Sequence, residues 1–329
     1  MRSALASLVL FLISLPASSQ KLEAKPEQKL DRQVCITIDD LPAAAANQMS
    51  GPEIVEMTTR LLATLKQYNV PAVGFVNERK LYYKMNEVND TIKALSLWLD
   101  NGFELGNHTF AHTSLNRAGL KEFEDAVIQG EPVLRLLLAQ HGLKLRYFRH
   151  PYLDTGRDLQ TRLDAEAFLT ARGYRIAPVT LDAWDWNFAG VYDDARRRGD
   201  QAVQREVVAA YLAYHEAVFD YFEKLSRSLI GYEPKQILLL HGNWLEAEHI
   251  GQLLDMMKKR GYRFITLEDA LSDDAYGLPD TWIGEEGRGW IEHWAITRGQ
   301  PPLGAPVFPA AIESRVQSLP KPLQPQPPQ

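Results

Sequence analysis

The segment Val34-Cys35-Ile36-Thr37-Ile38-Asp39-Asp40 contains a short apolar run that ends directly in two carboxylates. Short runs of apolar and β-branched residues are typical of strands buried on both faces, as in parallel sheets. Cys35, the single cysteine, lies inside this run. We therefore expect it to be a buried, unreactive thiol.

Six further runs of this kind follow along the chain, separated by segments with helical periodicity. They are 72–76, 103–105, 145–148, 176–181, 237–240 and 262–265. Strands that alternate with helices predict parallel βα units. The sequence therefore predicts an α/β fold, a distorted (β/α) barrel of about seven parallel strands.

Polar residues follow five of the seven runs. In chain order they are Asp39-Asp40, His108 after Gly106-Asn107, Arg149, Asp182 and His241. In a parallel barrel the C-terminal ends of all strands share one rim, where active sites are built. We expect these side chains to converge there.

Each of these signals is weak by itself. His108 and His112 are four residues apart, so on a helical turn they would share one face and could bind one metal, but two surface histidines have the same spacing. Acidic residues before Leu41-Pro42 could cap or turn the chain. Arg149 could form a structural salt bridge, and His241 could be a core histidine. None of these alternatives explains why all lie at strand ends.

Five segments resemble, in order, the motifs of the polysaccharide deacetylase family, also called carbohydrate esterase family four or the NodB-homology domain. They are Thr37-Ile38-Asp39-Asp40 (T-F-D-D, with Ile for Phe), His108-Thr109-Phe110-Ala111-His112 (H-[ST]-x-x-H), Arg149-His150-Pro151-Tyr152 (R-x-P-[YF]), Asp182-Ala183-Trp184-Asp185-Trp186 (D-x-x-D-W) and Leu238-Leu239-Leu240-His241 (L-x-x-H). The resemblance covers roughly residues 34–269. The insert before His241 is longer than in compact members of the family.

The resemblance implies that Asp40, His108 and His112 bind one divalent metal. Three nitrogen and oxygen ligands suit zinc, although cobalt, nickel and iron also fit. By the same resemblance Asp39 is the general base, Arg149 orients it, and His241 is the general acid. The backbone N–H of Tyr152 would help to stabilise the oxyanion.

A histidine that acts as a general acid needs a carboxylate neighbour to stay protonated. Asp182 and Asp185 both qualify, and the sequence does not choose between them. Trp184 and Trp186 alternate with these carboxylates. They are either a stacking wall for a sugar or part of the core.

The N-terminus predicts export. Arg2, the apolar run 4–17 and the small residues 17–19 are typical of a signal peptide over residues 1–19, with an uncleaved anchor as the alternative. After cleavage we expect no membrane span, and a periplasmic or secreted protein. The net charge is −6, without the clustered positive charge that a nucleic-acid surface needs.

The rest of the chain divides by composition. Residues 20–32 form a charged lead-in, 33–272 the catalytic domain, 273–300 an aromatic extension that would pack over it, and 301–329 a proline-rich tail expected to be extended or disordered. A helical insert at 187–235 interrupts the domain. Its second half is predicted to be one amphipathic helix, with Val207, Tyr211, Val218 and Phe222 among its apolar positions.

The resulting hypothesis is a hydrolase that removes N- or O-linked acetyl groups from an oligosaccharide or polysaccharide. Chitin, peptidoglycan and acetylated xylan all fit this chemistry. The alternatives are a deformylase acting on a lipid-linked sugar, an inactive carbohydrate-binding relative, which predicts damaged motifs, and a metal-dependent phosphoesterase, which would favour two metals and more carboxylates.

Overall fold

The computed structural model describes residues 31–319, which form one compact unit. The predicted signal peptide, most of the lead-in and the last ten residues lie outside the described residues. No helix in the part of the chain described is long and apolar enough to cross a membrane.

An eight-stranded parallel sheet forms the centre of the fold. Its strands are β1 (Arg32–Leu41), β2 (Ala72–Val76), β3 (Glu104–Asn107), β4 (Tyr147–Phe148), β5 (Arg175–Ile176), β6 (Leu181–Asp182), β7 (Gln236–His241) and β8 (Tyr262–Phe264). The strand order is β5-β4-β3-β2-β1-β7-β6, and β8 pairs with the start of β1. The eighth strand arises because the predicted run 176–181 is two short strands.

The helices cover the sheet and its edges. They are α1 (Gly51–Gln67), α2 (Val88–Asp100), α3 (Leu115–Ala118), α4 (Leu120–Gln129), α5 (Pro132–Gln140), α6 (Leu159–Ala171), α7 (Asp185–Arg197), α8 (Gln201–Ile230), α9 (Trp244–Lys259), α10 (Leu267–Ala270), α11 (Trp290–Thr297) and α12 (Ala310–Gln317).

The link between β5 and β6 requires the sheet to curl. These strands lie at opposite ends of the strand order but are joined by residues 177–180 alone. Seven strands laid flat would separate the two edges by about 29 Å, whereas a link of this length spans at most about 18 Å. The sheet is therefore a curled, incompletely closed barrel, which confirms the predicted fold.

The central strand is built as the sequence indicates. In β1 the side chains of Val34, Cys35, Ile36 and Ile38 are fully buried, because helices cover one face and the barrel interior the other. Burial also raises the pKa of the Cys35 thiol, as expected for an unreactive cysteine.

The insert between β6 and β7 is helical, as predicted. It forms α7 and α8, and the 30-residue helix α8 begins at the N-cap Asp200 and ends at Gly231 in the left-handed conformation. The predicted apolar face is buried at Val207, Tyr211 and Val218.

The prediction of an extended or disordered tail is wrong for the part of it that is described. Residues 310–317 form helix α12, whose Ile312 is fully buried, and Phe308 packs against Phe188 with a centroid distance of 5.0 Å. Apolar side chains at only two or three positions are enough to dock this segment on α7, despite the surrounding prolines. The aromatic extension also packs on the domain, with Trp294 and Trp282 buried.

Candidate active site

The rim formed by the C-terminal ends of the strands collects the predicted polar residues. Asp39 lies opposite His241 in the register of the paired strands β1 and β7. The backbone N–H of Arg149 donates to Asn107 O at 3.0 Å, which joins the end of β4 to the end of β3. The register of the sheet therefore sets the distances between groups that are far apart in sequence.

Three side chains at this rim are arranged as metal ligands. Asp40, His108 and His112 each offer one ligand atom, and these atoms lie within 4.8 Å of one another. His112 Nε2 is 3.7 Å from Asp40 Oδ1. This is the single such group of metal-ligating side chains found within residues 31–319.

The chemistry of these three side chains fits a divalent metal. His108 Nδ1 is 2.8 Å from the carbonyl oxygen of Arg149, which can only accept, so Nδ1 carries the proton and Nε2 keeps its lone pair. Asp40 Oδ1 is buried, and no hydrogen bond within the described chain occupies its lone pairs. The ligand nitrogen of His108 is thus free to coordinate, while the ligand oxygen of Asp40 lies 2.9 Å from the Lys80 ammonium without an aligned hydrogen bond.

The protonation states fit as well. Burial, together with the neighbouring His112, lowers the pKa of His108 well below its usual value, and burial lowers the pKa of His112 to about 4. Burial alone would favour the protonated acid at Asp40, but the Lys80 ammonium and the protonated His241 outweigh it and hold the pKa of Asp40 well below its usual value. Neutral imidazoles and an ionised carboxylate are the forms that bind metal.

The local conformation of the histidine pair differs from the prediction. Residues 108–112 form an irregular loop rather than a helical turn, and both Thr109 and His112 have positive φ. The imidazoles meet because this loop is tightly held. Asn77 Nδ2 donates to the carbonyl oxygens of His108 and Thr109 at 2.6 and 3.3 Å.

Asp39 and Arg149 form a fully buried pair. Arg149 Nη1 lies 3.3 and 3.2 Å from the two carboxylate oxygens of Asp39, and Nη2 donates to Thr37 Oγ1 at 3.0 Å. Burial raises the pKa of Asp39 to about 6, although Arg149 acts in the opposite direction. Asp39 is therefore a carboxylate that can exchange a proton near neutral pH.

His241 is paired with Asp185 and not with Asp182. Its Nδ1 lies 2.7 Å from Asp185 Oδ1, while Asp185 Oδ2 accepts the backbone N–H of His241 at 2.9 Å. Burial opposes the charged imidazolium, but Asp185 outweighs it and raises the pKa of His241 to about 10. Asp182 accepts the backbone N–H of Trp184 at 2.9 Å, and so shapes the turn before α7.

The predicted substrate-binding aromatics are about half exposed. The exposed fractions are 48% for Tyr152, 45% for Trp184 and 53% for Trp186, so neither tryptophan belongs to the core. The Tyr152 ring lies 4.2 Å from that of His112, beside the candidate metal ligands. Tyr152 has a positive φ, and its backbone N–H donates to no acceptor among the described residues.

Sequence reasoning missed two residues at this rim, Asn77 and Lys80. Both are buried, and Lys80 Nζ lies 2.9 Å from Asp40 Oδ1. The available signal was the polar segment Asn77-Glu78-Arg79-Lys80, which follows strand β2 in the same way as the other site residues follow their strands.

Comparison with known proteins agrees with this geometry. Residues 27–168 match the family model described as polysaccharide deacetylase. That range includes Asp39, the three metal-ligand candidates and Arg149, but not Asp185 or His241.

Two curated relatives are similar over most of the chain. A peptidoglycan-N-acetylglucosamine deacetylase of Bacillus cereus is 24% identical over 241 residues, 71% of this chain and 66% of the relative. A chitin deacetylase of Colletotrichum lindemuthianum is 23% identical over 234 residues, 68% of this chain and 77% of the relative. The chain thus spans somewhat less than two thirds of the length of the Bacillus cereus relative.

The fold is also found among solved structures. A mutant of a CE4-family pseudoenzyme from Bacillus anthracis has a TM-score of 0.50 and 19% identity, with 74% of this chain and 68% of that chain covered. At this identity the likeness concerns the fold. The family model and the order of the site residues show that residues 27–168 of this chain are similar to the polysaccharide deacetylase family.

Proposed function

We propose that this protein is a metal-dependent hydrolase that removes acetyl groups from an N-acetylated glycan. The observation that carries the proposal is the end of strand β1. There Asp40 is one of three grouped candidate metal ligands, while its neighbour Asp39 is a buried carboxylate with a pKa of about 6 that faces His241 on the paired strand.

One divalent ion, zinc by preference, would be held by Asp40, His108 and His112, with cobalt, nickel or iron as alternatives. Such an ion supplies Lewis-acid chemistry, because it polarises a carbonyl group and lowers the pKa of water to about 7.

The side chains of the protein would move the protons. Asp39 would accept the proton of the attacking water, and Arg149 would keep its carboxylate in place through two contacts. The N–H of Tyr152 would donate to the oxyanion that forms on the acetyl carbonyl. His241, kept protonated by Asp185, would give its proton to the leaving amine.

The names of the relatives support an N-acetylglucosamine unit as the reacting sugar. They are a peptidoglycan-N-acetylglucosamine deacetylase and a chitin deacetylase, both of which act on N-acetylated glycans. Exposed aromatic rings at Tyr152, Trp184 and Trp186 provide surfaces on which a sugar ring can stack. Because such glycans lie outside the cytoplasm, we also propose that the protein is exported.

The presence of every catalytic group argues against an inactive carbohydrate-binding relative. This alternative has a concrete precedent, because the chain is similar in fold to a CE4-family pseudoenzyme. In this chain, however, the side chains proposed as base, acid and metal ligands are all present at the rim.

Acetate release tests the proposal. The substrates are N-acetylated chitin oligomers and peptidoglycan, and the protein is first stripped with a chelator and then supplied with zinc or cobalt. We expect activity only with metal. His108→Ala should lose both metal and activity, whereas Asp39→Asn should keep metal and lose at least about 100-fold in kcat.

Thermal unfolding of each variant serves as the control for folding. Near-normal turnover by Asp39→Asn would remove Asp39 as the base. Formate release in place of acetate would identify a deformylase, and glycan binding without release of either acid would identify an inactive relative.

A further inference from the structure

A buried lysine lies beside the proposed metal ligands. Lys80 Nζ is 2.9 Å from Asp40 Oδ1, and its side chain is only 9% exposed. The same carboxylate oxygen is the one that approaches His112 Nε2. A fixed positive charge thus lies in contact with a side chain that would bind a divalent cation.

The backbone holds the Lys80 ammonium in place independently of the carboxylate. Nζ donates to the carbonyl oxygens of Asp40 and Ala44 at 3.2 and 3.5 Å. The residues around Lys80 are also anchored, since Arg79 N–H donates to Phe110 O at 2.9 Å. The ammonium therefore stays at the site when Asp40 changes its partner.

Lys80 contributes charge to Asp40 rather than orientation. Although the two groups are 2.9 Å apart, the ammonium is not aligned for a hydrogen bond, and Asp40 Oδ1 accepts none within the described residues. A partner that orients a metal ligand normally does so through an aligned hydrogen bond, and its loss weakens metal binding. That contribution is missing here, which leaves the electrostatic effect.

The two carboxylates at the end of β1 each face a cation. The pairs are Asp39 with Arg149 and Asp40 with Lys80. A divalent cation bound by Asp40 would therefore lie close to the Lys80 ammonium, which repels it.

We infer that Lys80 weakens the binding of divalent metal by Asp40, His108 and His112, and so makes the ion exchangeable. The inference rests on the proposed metal site. Removal of the charge should strengthen metal binding, which is the opposite of what the loss of a supporting hydrogen bond would do.

Metal titration of the chelator-stripped protein tests this inference without any activity assay. Lys80→Gln keeps a donor for the carbonyl oxygens but removes the charge, and Lys80→Met removes both. Zinc and cobalt affinities are measured by calorimetry or by competition with a chromophoric chelator. We expect the Kd of both variants to fall by at least about tenfold relative to the wild type.

Lys84→Met is the matched control. Lys84 lies one turn further along the same segment, where its Nζ donates to Met49 O at 2.6 Å and lies 3.8 Å from Glu87. This variant should bind metal as the wild type does.

The outcomes separate this inference from the proposed function. Unchanged or weaker binding by a folded Lys80→Gln or Lys80→Met variant would overturn the role of Lys80 alone. If the wild type itself binds no zinc or cobalt, the metal site and the proposed function fail instead. Unfolding curves of the metal-free proteins establish which variants are folded, and one folded variant is sufficient.

Discussion

Two residues at the site, the buried Asp39 and the partly buried His241, have pKa values shifted in a way that suits a base and an acid. The pKa of Asp39 is raised to about 6 mainly by burial, and that of His241 is raised to about 10 because Asp185 outweighs burial. Between these values the carboxylate is ionised and the imidazole is protonated. Activity should therefore rise with pH through about 6 and fall as the pH passes about 10.

Asp185→Asn should move the alkaline limb of this profile to lower pH. Without the negative charge, burial favours neutral His241, and its pKa should drop to about 6.5 or below. We expect kcat/KM at pH 8 to fall by at least about tenfold, and the pH profile of kcat/KM to narrow from the alkaline side.

Asp182→Asn is the comparison for Asp185→Asn. Asp182 contacts the backbone of Trp184 and not the imidazole of His241. The alkaline limb of the pH profile of Asp182→Asn should therefore stay near that of the wild type. An equal shift in both variants would contradict the assignment of Asp185 as the partner of His241.

At the scale of a single element, the loop 108–112 depends on a neighbouring strand end. Its positive φ values at Thr109 and His112 are costly for residues with a side chain, and they are stable only when the surroundings hold them. Asn77, at the end of β2, supplies two of the hydrogen bonds that do so. Asn107 supplies a third by accepting the N–H of Thr109 at 2.7 Å.

Asn77→Ala should loosen this loop. The variant leaves two buried carbonyl groups without their donor, which costs about 1–3 kcal/mol of unfolding free energy. Because the same loop carries two of the proposed metal ligands, the metal Kd should also rise, by about tenfold or more. Denaturant unfolding and metal titration measure the two effects.

Asn101→Ala controls for the loss of an asparagine hydrogen bond elsewhere. Asn101 Nδ2 donates to Leu97 O at 2.7 Å at the end of α2, away from the rim. A loss of stability without a change in metal affinity is expected there. The same result for Asn77→Ala would mean that Asn77 does not hold the ligand loop.

At the scale of the whole molecule, the C-terminal extension contacts helix α3 and the loop that carries Tyr152. The N–H of Gly287 donates to Asp154 Oδ1 at 2.9 Å, and Asn116 Nδ2 donates to Gly284 O at 3.0 Å. A Cβ atom added at Gly287 would lie only 2.1 Å from the carbonyl oxygen of Tyr152. The extension and the loop that carries Tyr152 therefore pack backbone against backbone.

Gly287 lies outside residues 27–168, which match the family model, but Gly287→Ala should still disturb the candidate active site. The added methyl group must push the two backbones apart, at a cost of about 1–3 kcal/mol in stability. Because the Tyr152 backbone moves with it, we expect kcat to fall while metal affinity stays unchanged. Steady-state kinetics and metal titration separate the two.

Gly277→Ala is the control, since nothing lies within 4 Å of a Cβ atom added there. Its stability and kcat should match those of the wild type. Full activity in a stable Gly287→Ala variant would show that the extension does not support the position of Tyr152.

The sequence alone determined the fold class and most of the candidate site. Apolar runs identify buried strands because they are local signals, and a polar residue at the end of such a run, such as Asp39 or His241, must lie on the common rim of a parallel sheet. The proposed metal ligands and the proposed base followed from a family resemblance carried by motifs that are each contained in a few residues.

Only the tertiary structure decided which distant groups make contact. It paired His241 with Asp185 rather than Asp182, brought Lys80 to Asp40, and docked α12 through Ile312 although its surroundings are rich in proline. Asp185 and His241 are separated by 56 positions in the chain. Contacts at such separations depend on the packing of whole elements, and no local pattern encodes them.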